Sequence, residues 1–201
     1  MESKKFLRKK FLAERAAISI AERDLTSHEL IKKFLATKIY QESKIIMAYA
    51  SMNDEINLNE LFAACFNDKK LLAIPFIVSK GEMQAVEVPN FDSLEIGAFN
   101  ILTVKKNLRN FIEPAQIDCI IVPGVAFDKN FNRLGMGGGF YDKFLPSAVN
   151  AKKIALAYDF QLVDNLPTEP FDAKIDMVLT PKIFLDSNDF RYENRQRSIR
   201  K

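Results

Sequence analysis

The sequence predicts an α/β fold: a single three-layer α/β/α sandwich around a mostly parallel or mixed sheet. Short, continuously apolar segments alternate with helical patterns, which is typical of strands that helices cover on both faces. The 201 residues suffice for one sizeable domain or two very small ones, and no repeat, low-complexity segment or linker divides the sequence. We therefore expect one domain over residues 1–185 and a basic, flexible extension over 186–201.

The first two elements are predicted to be helices. Leu7 and Phe11 form an apolar i, i+4 pair, which predicts a helix over residues 3–17. Three basic side chains fall along its polar face: Lys4, Arg8 and Arg15. A capping box in residues 19–22 predicts the start of a second helix, which should continue to about residue 39.

Most of the later elements are predicted to be strands. Six apolar segments have the length and composition of strands: residues 44–51, 71–78, 83–88, 118–124, 153–158 and 176–181. Pro75 predicts that the second of them bends or lies near an edge, because proline cannot donate to a neighbouring strand. Asn57 and Glu60 can cap a helix through residues 62–66, and another helix should start at Phe140.

The charge distribution argues against general nucleic-acid binding. Residues 189–201 carry five basic and two acidic side chains and so account for the whole net charge of +3, while the rest of the chain is balanced. A nucleic-acid-binding protein needs a basic body rather than only a basic tail. We expect the tail to be a solvated end of the chain, with a weak electrostatic contact as the alternative.

The sequence favours a cytoplasmic protein, which we expect to be a monomer. No segment approaches the ~18 to 20 apolar residues of a membrane span. The basic N-terminal segment is not followed by the apolar core of a secretory signal. Cys65 and Cys119 lie among apolar neighbours, as reduced core cysteines do. We therefore expect neither a membrane partner nor a disulfide.

The sequence RLGMGGGFYDKFL, residues 133–145, places four of the chain's seven glycines within five positions. It follows the strand 118–124 and a turn, and in open α/β folds ligands bind where strands end and loops lead into helices. Glycines let backbone N–H groups approach an anion, and the following helix adds its N-terminal partial charge. The stretch predicts a phosphate or carboxylate cradle. A tight turn is the alternative, because neither GxGxxG nor the P-loop pattern is present.

The wider stretch, VPGVAFDKNFNRLGMGGGFYDKFL over residues 122–145, closely resembles the signature of 5-formyltetrahydrofolate cyclo-ligases. That signature has a PG–x–x–FD turn, then RLG–x–G–x–G, two aromatic residues and an aspartate. The N-terminal helix, SMNDEI (51–56) and AKIDMVLTP (173–181) resemble further segments of the family in the same order.

The resemblance implies a reaction that uses ATP and Mg²⁺. Family members convert 5-formyltetrahydrofolate to 5,10-methenyltetrahydrofolate and release ADP and phosphate. The formyl oxygen is phosphorylated, N10 attacks the formyl carbon, and phosphate departs. Enzymes catalyse phosphoryl transfer mainly by positioning the reactants and neutralising the charge on the phosphates. The single histidine, His28, lies mid-helix and far from these motifs, in agreement with a reaction that needs no histidine.

The resemblance also implies the site residues. The ATP contacts would be Lys4, Lys5, Phe6, Leu7, Arg8, Arg133, Leu134, Gly135, Gly137, Gly138, Gly139 and Tyr141. The contacts to the reduced folate, with or without a polyglutamate tail, would be Ala50, Glu55, Met136, Gly137, Gly138, Gly139 and Phe140. Magnesium would bind Asp142 and Asp176, and the catalytic residues would be Arg133, Tyr141 and Asp142.

Other interpretations remain open at this stage. Without the resemblance, Lys4 and Arg8 would be a solvated charged face and Glu55 an acid at a helix start. Phe140 stands where many relatives have tyrosine, and Met136 or Gly138 where some have a basic residue. The alternative functions are a sugar-phosphate isomerase or CoA-transferase relative, a nucleotide-binding module without turnover, and nucleic-acid binding by the tail.

Overall fold

A computed structural model describes residues 2–97 and 101–188. Its α-helices are α1 (Lys4–Ala16), α2 (Ile20–Leu35), α3 (Lys38–Glu42), α4 (Asn59–Asn67) and α5 (Phe140–Phe144). The strands of the large sheet are β1 (Ile45–Met47), β2 (Leu71–Ser79), β3 (Glu82–Glu87), β6 (Phe111–Ile112), β7 (Cys119–Ile121), β10 (Lys152–Leu156), β12 (Met177–Leu179) and β13 (Phe184–Asp186). Two small sheets contain β4 (Leu94–Ile96) with β5 (Leu102–Val104), and β8 (Ala126–Asp128) with β9 (Arg133–Leu134) and β11 (Leu162–Val163).

Side-chain caps fix the starts of the first three helices. Ser3 and Ser19 accept hydrogen bonds from backbone N–H groups three residues ahead, both at 3.2 Å, which begins α1 and α2 as predicted. The second helix is shorter than predicted, because Thr37 has extended backbone angles and caps α3 through Tyr40 N–H. No helix in the described part of the chain has the length and apolar character needed to cross a membrane.

The main sheet is mixed, in the order β13-β12-β10-β7-β1-β2-β3-β6. Strands β12, β10, β7, β1 and β2 run parallel, and β13, β3 and β6 pair antiparallel with their neighbours. Pro75 lies neither in an edge strand nor at a bulge. It is opposite Ala85 in β3 and beyond Ala73, the last residue of β2 that pairs with β1, so its missing N–H breaks no ladder bond.

Alternating residues of the strands face two different cores. Ile46 packs in a cluster with Phe34 and Phe62 from α2 and α4, whereas Met47 packs with Phe144 of α5 on the other face. This alternation gives the predicted three layers, and the α/β fold class is confirmed. Both cysteines are free and buried in the first core, where burial raises the pKa of the Cys65 thiol to about 12.

A small sheet connects the N-terminal helix to the rest of the molecule. The predicted turn of residues 127–132 joins β8 to β9, with Asp128 accepting backbone hydrogen bonds from Asn130 and Asn132 at 2.9 Å each. α1 packs on this sheet through Leu7, and β9 contributes Leu134 to the same core. The start of α1 is thereby held beside the segment that follows β9.

The predicted boundary between domain and extension lies at the last strand. Asp186 belongs to β13, and Ser187 N–H donates to Asp176 O at 2.9 Å. The rest of the predicted extension, residues 189–201, lies outside the described residues.

Candidate active site

A cavity of about 710 Å³ opens at the carboxyl ends of β7, β1 and β2. The glycine loop (residues 133–139) and α5 bound one side, and the β4–β5 hairpin bounds the other. Its lining includes these residues predicted from the sequence: Ala50, Glu55, Arg133, Gly135, Met136, Gly137, Gly138, Gly139, Phe140, Tyr141 and Asp142. The volume is within the range of about 300–1,000 Å³ of small-molecule sites.

Glycine is required at consecutive positions of the loop for different reasons. Gly137 and Gly139 have φ angles of 99° and 69°, a left-handed region that L side chains rarely adopt. Gly138 does not have a positive φ, but a Cβ there would lie 2.8 Å from two ring carbons of Phe140. Gly139 is also the N-cap of α5, so the loop leads directly into the helix.

Arg133 and Asp142 form an ion pair at the base of the loop. The Arg133 side chain is 5% exposed, and its Nη2 donates to Asp142 Oδ1 at 2.7 Å. Nη1 donates to Pro123 O at 3.2 Å, while Nε is buried and has no hydrogen-bond partner among the described residues. A buried donor without a partner lowers the stability of the protein, so an acceptor atom of a bound ligand would be favoured at Arg133 Nε.

Tyr141 supplies a second unpaired donor in the same cavity. Its hydroxyl is buried without a hydrogen-bond partner among the residues that the structure describes, and its ring centroid lies 5.6 Å from Arg133 Cζ. Burial raises the pKa of Tyr141, partly offset by the nearby arginine, so the hydroxyl keeps its proton at neutral pH. Together, the two residues form a polar patch in a largely apolar cavity.

Glu55 is the acid at the β1 end of the cavity. It is 7% exposed, accepts a hydrogen bond from Met52 N–H at 3.0 Å, and lies 3.6 Å from Arg15 Nη1. Burial raises the pKa of this carboxyl, although the Met52 hydrogen bond and Arg15 oppose the effect. Arg15 is itself held by Asp54 at 2.8 Å, which fixes the geometry around the carboxylate.

The start of α1 contacts the glycine loop through its basic side chains. Arg8 Nε donates to Gly135 O at 2.7 Å, which brings its guanidinium beside the loop. Lys4 instead pairs with Asp172 at 2.6 Å and Glu169 at 2.8 Å, and it does not line the cavity. Lys5 is exposed.

Three other predicted ATP contacts of α1 and β9 lie outside the cavity. Phe6 is 52% exposed on the surface. Leu7 and Leu134 are buried in the core between the helix and the small sheet. The positions of these two leucines suit packing of α1 against β9 more than contact with a nucleotide.

The structure does not bring the predicted metal ligands Asp142 and Asp176 together. Asp176 immediately precedes β12, at the amino ends of the parallel strands, and its carboxylate accepts from Lys153 N–H at 2.9 Å. It does not line the cavity, which opens at the opposite, carboxyl ends. The residue of this segment that contacts Asp142 is Ala173, whose N–H donates to Asp142 Oδ1 at 3.2 Å, whereas the carboxylate of the preceding Asp172 pairs with Lys4 and does not line the cavity either. The described residues contain no cluster of three or more potential metal-binding side chains.

Several cavity residues were not predicted from the sequence. The main ones come from β2 and from the β4–β5 hairpin with its following turn: Phe76, Ile77, Glu95, Leu102, Thr103 and Arg109. Their segment carries no motif, and the hairpin was not among the predicted elements. An apolar alternation within residues 94–104 is the one local signal that could have indicated it.

The fold and the site together define an α/β enzyme with a small-molecule cavity at the carboxyl edge of its sheet. Comparison with known protein families identifies the family of this chain. The sequence profile of the 5-formyltetrahydrofolate cyclo-ligase family matches residues 1–181. The chain belongs to this family, and the resemblance seen in the sequence is confirmed.

Individual relatives agree with the assignment. The chain is 29% identical over 195 residues to a mouse 5-formyltetrahydrofolate cyclo-ligase, covering 88% of this chain and 93% of that one. A Haemophilus influenzae protein of the same name is 32% identical over 161 residues, with coverage of 77% and 82%. The solved structure of Aquifex aeolicus 5,10-methenyltetrahydrofolate synthetase superposes with a TM-score of 0.82 at 32% identity, covering 91% and 92% of the two chains.

Proposed function

We propose that this enzyme converts 5-formyltetrahydrofolate to 5,10-methenyltetrahydrofolate with ATP and Mg²⁺, and releases ADP and phosphate. The observation that carries the proposal is a pair of buried donors without a partner among the described residues, Arg133 Nε and Tyr141 OH, beside a glycine loop and an ion-paired aspartate. Donors fixed in an apolar cavity are suited to stabilise the charge of a phosphoryl group in transfer.

The chemistry explains why ATP is required. A formamide oxygen is a poor leaving group, so the formyl oxygen first attacks the γ-phosphorus and ADP leaves. The N10 lone pair then attacks the activated formyl carbon, which closes a five-membered ring. The C–O bond breaks, phosphate leaves, N10 loses its proton, and the methenyl cation remains. No step needs an acid–base histidine, and His28 does not line the cavity but contacts Glu60 on the surface.

Two acids near the glycine loop are suited to bind a magnesium ion. Asp142, which lines the cavity, and Asp172, which precedes the residue bonded to Asp142, would hold it, since two carboxylates completed by water and phosphate oxygens are a usual magnesium environment. Bound magnesium would neutralise phosphate charge. Arg133 keeps Asp142 oriented, and Lys4 can exchange Asp172 for a phosphate oxygen because both are anionic acceptors.

Glu55 is suited to bind the pterin ring. Its buried carboxylate can accept hydrogen bonds from the adjacent ring and amino N–H groups of a pterin, and Ala50 forms part of the neighbouring wall. Such contacts orient N5 and its formyl group. They support a folate ligand over a sugar phosphate, which has no paired N–H donors.

The test is the appearance of methenyltetrahydrofolate absorbance at neutral pH with purified protein. We expect turnover of 5-formyltetrahydrofolate only when ATP and Mg²⁺ are both present, with one phosphate released per product. Omission of ATP, replacement by ADP, and addition of a chelator are the controls. Unchanged conversion without nucleotide would overturn the proposal, and ATP binding without product would favour a module that retains nucleotide.

We also propose that the enzyme works in the cytoplasm as a single-domain monomer. Two buried, free thiols support a reducing compartment. Size-exclusion chromatography with light scattering tests the oligomeric state, and a stable dimer would contradict the proposal.

A further inference from the structure

Arg109 is a rigidly held arginine in the wall of the cavity. Its Nε donates to Val104 O at 2.9 Å, and its Cζ lies 4.4 Å from the ring centroid of Phe76. Phe76 in turn has an edge contact with Phe111, with the ring centroids 5.6 Å apart. A guanidinium fixed by an aromatic face and a backbone carbonyl loses little further entropy when it binds a ligand.

No acidic side chain in the described part of the chain neutralises the charge of Arg109. Two arginines line the described part of the cavity, and Arg133 is paired with Asp142. Arg109 forms no ion pair with any described residue, and Glu95 on the neighbouring hairpin is not within bonding distance. Its two terminal nitrogens therefore remain available as a fork of donors, the arrangement that binds a carboxylate in bidentate fashion.

Arg109 and the glycine loop lie on opposite sides of the sheet edge. Phe76 and Val104 pack with the α2–α4 core, whereas Phe140 and Tyr141 pack with the core on the other face. A ligand that reaches both must be elongated. A reduced folate has this shape, with the pterin at one end and a glutamyl group with two carboxylates at the other.

We propose that Arg109 binds a glutamyl carboxylate of the folate substrate. The inference rests on the proposed function, because it takes the reacting formyl group to lie at the glycine loop and the pterin at Glu55. Arg109 is then a specificity residue that distinguishes folates from pterins without the glutamyl group. It does not contact the reacting atoms, so its contribution is to substrate affinity.

The test compares Arg109→Gln and Arg109→Lys with Lys106→Gln, a charge-matched control at an exposed position outside the cavity. We expect Arg109→Gln to raise the KM for 5-formyltetrahydrofolate about 10- to 100-fold, the scale of a charge-assisted hydrogen bond. The KM for ATP and kcat should change less than about twofold. Arg109→Lys should be intermediate, because lysine keeps the charge and loses the fork.

A substrate without the glutamyl group, 5-formyltetrahydropteroate, separates binding from a structural role. Wild-type enzyme should bind it more weakly than the folate by about the same factor, and Arg109→Gln should not weaken it further. An equal loss with both substrates, or a raised KM for ATP, would overturn the proposal. Wild-type preference for the folate is measured without any mutation, so misfolding of a variant cannot hide the answer. Absence of ATP-dependent turnover in wild type would instead contradict the proposed function.

Discussion

At the scale of single residues, the Arg133–Asp142 ion pair links the stability of the site to its chemistry. The Arg133 side chain is 5% exposed, so loss of Asp142 would leave a buried guanidinium without its acid. Breaking a buried pair in this way typically costs about 3–5 kcal/mol. Every substitution at Asp142 therefore has to be measured for unfolding as well as for turnover.

The positions of the three acids give a prediction about magnesium. Asp172→Asn and Asp142→Asn should raise the Mg²⁺ concentration for half-maximal turnover by about tenfold or more, with activity partly restored at high Mg²⁺. Asp176→Asn should leave this concentration unchanged, because Asp176 hydrogen-bonds Lys153 N–H at the other end of the strands. Magnesium titrations of turnover, beside thermal unfolding, make the comparison. A shift with Asp176→Asn and none with Asp172→Asn would contradict the assignment.

The choice between Asp172 and Asp176 as a metal ligand could not be made from the sequence. Asp172 and Asp176 lie four residues apart in one segment, and both are plausible oxygen ligands. The difference between them is that one precedes a strand directly and the other lies in the loop before it. Only the pairing of Lys153 with Asp176 and of Ala173 with Asp142 separates them, and these are long-range contacts that no local pattern encodes.

Glu55 gives a prediction about pH. Burial raises its folded-state pKa above the ordinary 4.5, so the folded protein holds this proton to higher pH than the unfolded chain does. Between the two pKa values the contribution of Glu55 to the free energy of unfolding falls as pH rises. Glu55→Gln lacks this titration. Urea denaturation should therefore show wild type losing stability relative to Glu55→Gln as pH increases from 4.5, and parallel curves would contradict the raised pKa.

At the scale of elements, the glycine loop should be more sensitive in function than in folding. Gly138→Val would place its Cβ against the Phe140 ring, 2.8 Å away, and so displace either the ring or the loop. We expect at least a ~10²-fold loss of turnover, about 2.7 kcal/mol in the barrier, from a protein that still unfolds cooperatively.

Gly139→Ala is the matched comparison for the loop. Among the described residues, no atom beyond its chain neighbours lies within 4 Å of the added Cβ, so the variant tests only the strain of a φ of 69°. That strain costs about 1–2 kcal/mol. Steady-state kinetics and thermal unfolding of both variants provide the measurement. Near-normal turnover of Gly138→Val would mean that the loop is only a tight turn.

The elements that the sequence predicted are those with a strong local signal. The Leu7–Phe11 pair and the Ser19 cap predicted the first two helices, and the apolar segments predicted six of the eight strands of the main sheet. The edge strands β6 and β13, the β4–β5 hairpin and the break at Thr37 were missed. Their strands and turns are short, and a three-residue strand is stabilised by its neighbours rather than by its own composition.

At the scale of the whole molecule, strand order assembles the site from distant segments. β7, β1 and β2 are adjacent and parallel, so the residues at their carboxyl ends meet at one edge although the strand ends are about 30 to 75 positions apart in sequence. α1 reaches the same edge by packing on the small sheet through Leu7. The rigidity of the sheet therefore sets the distance between the glycine loop and the opposite wall.

A substitution in the central strand β7 should lower stability without changing catalysis. Ile121 is fully buried among residues from several strands, and β7 pairs with both β1 and β10. Ile121→Ala should cost about 2–5 kcal/mol of unfolding free energy, through lost burial and the cavity it leaves, and Ile121→Val about 0.5–1.5 kcal/mol. The denaturant midpoint should fall with an unchanged m-value. Because Ile121 does not line the active-site cavity, kcat/KM per folded molecule should stay within about twofold of wild type. A large loss of kcat/KM in a folded Ile121→Ala protein would mean that the sheet transmits core defects to the site.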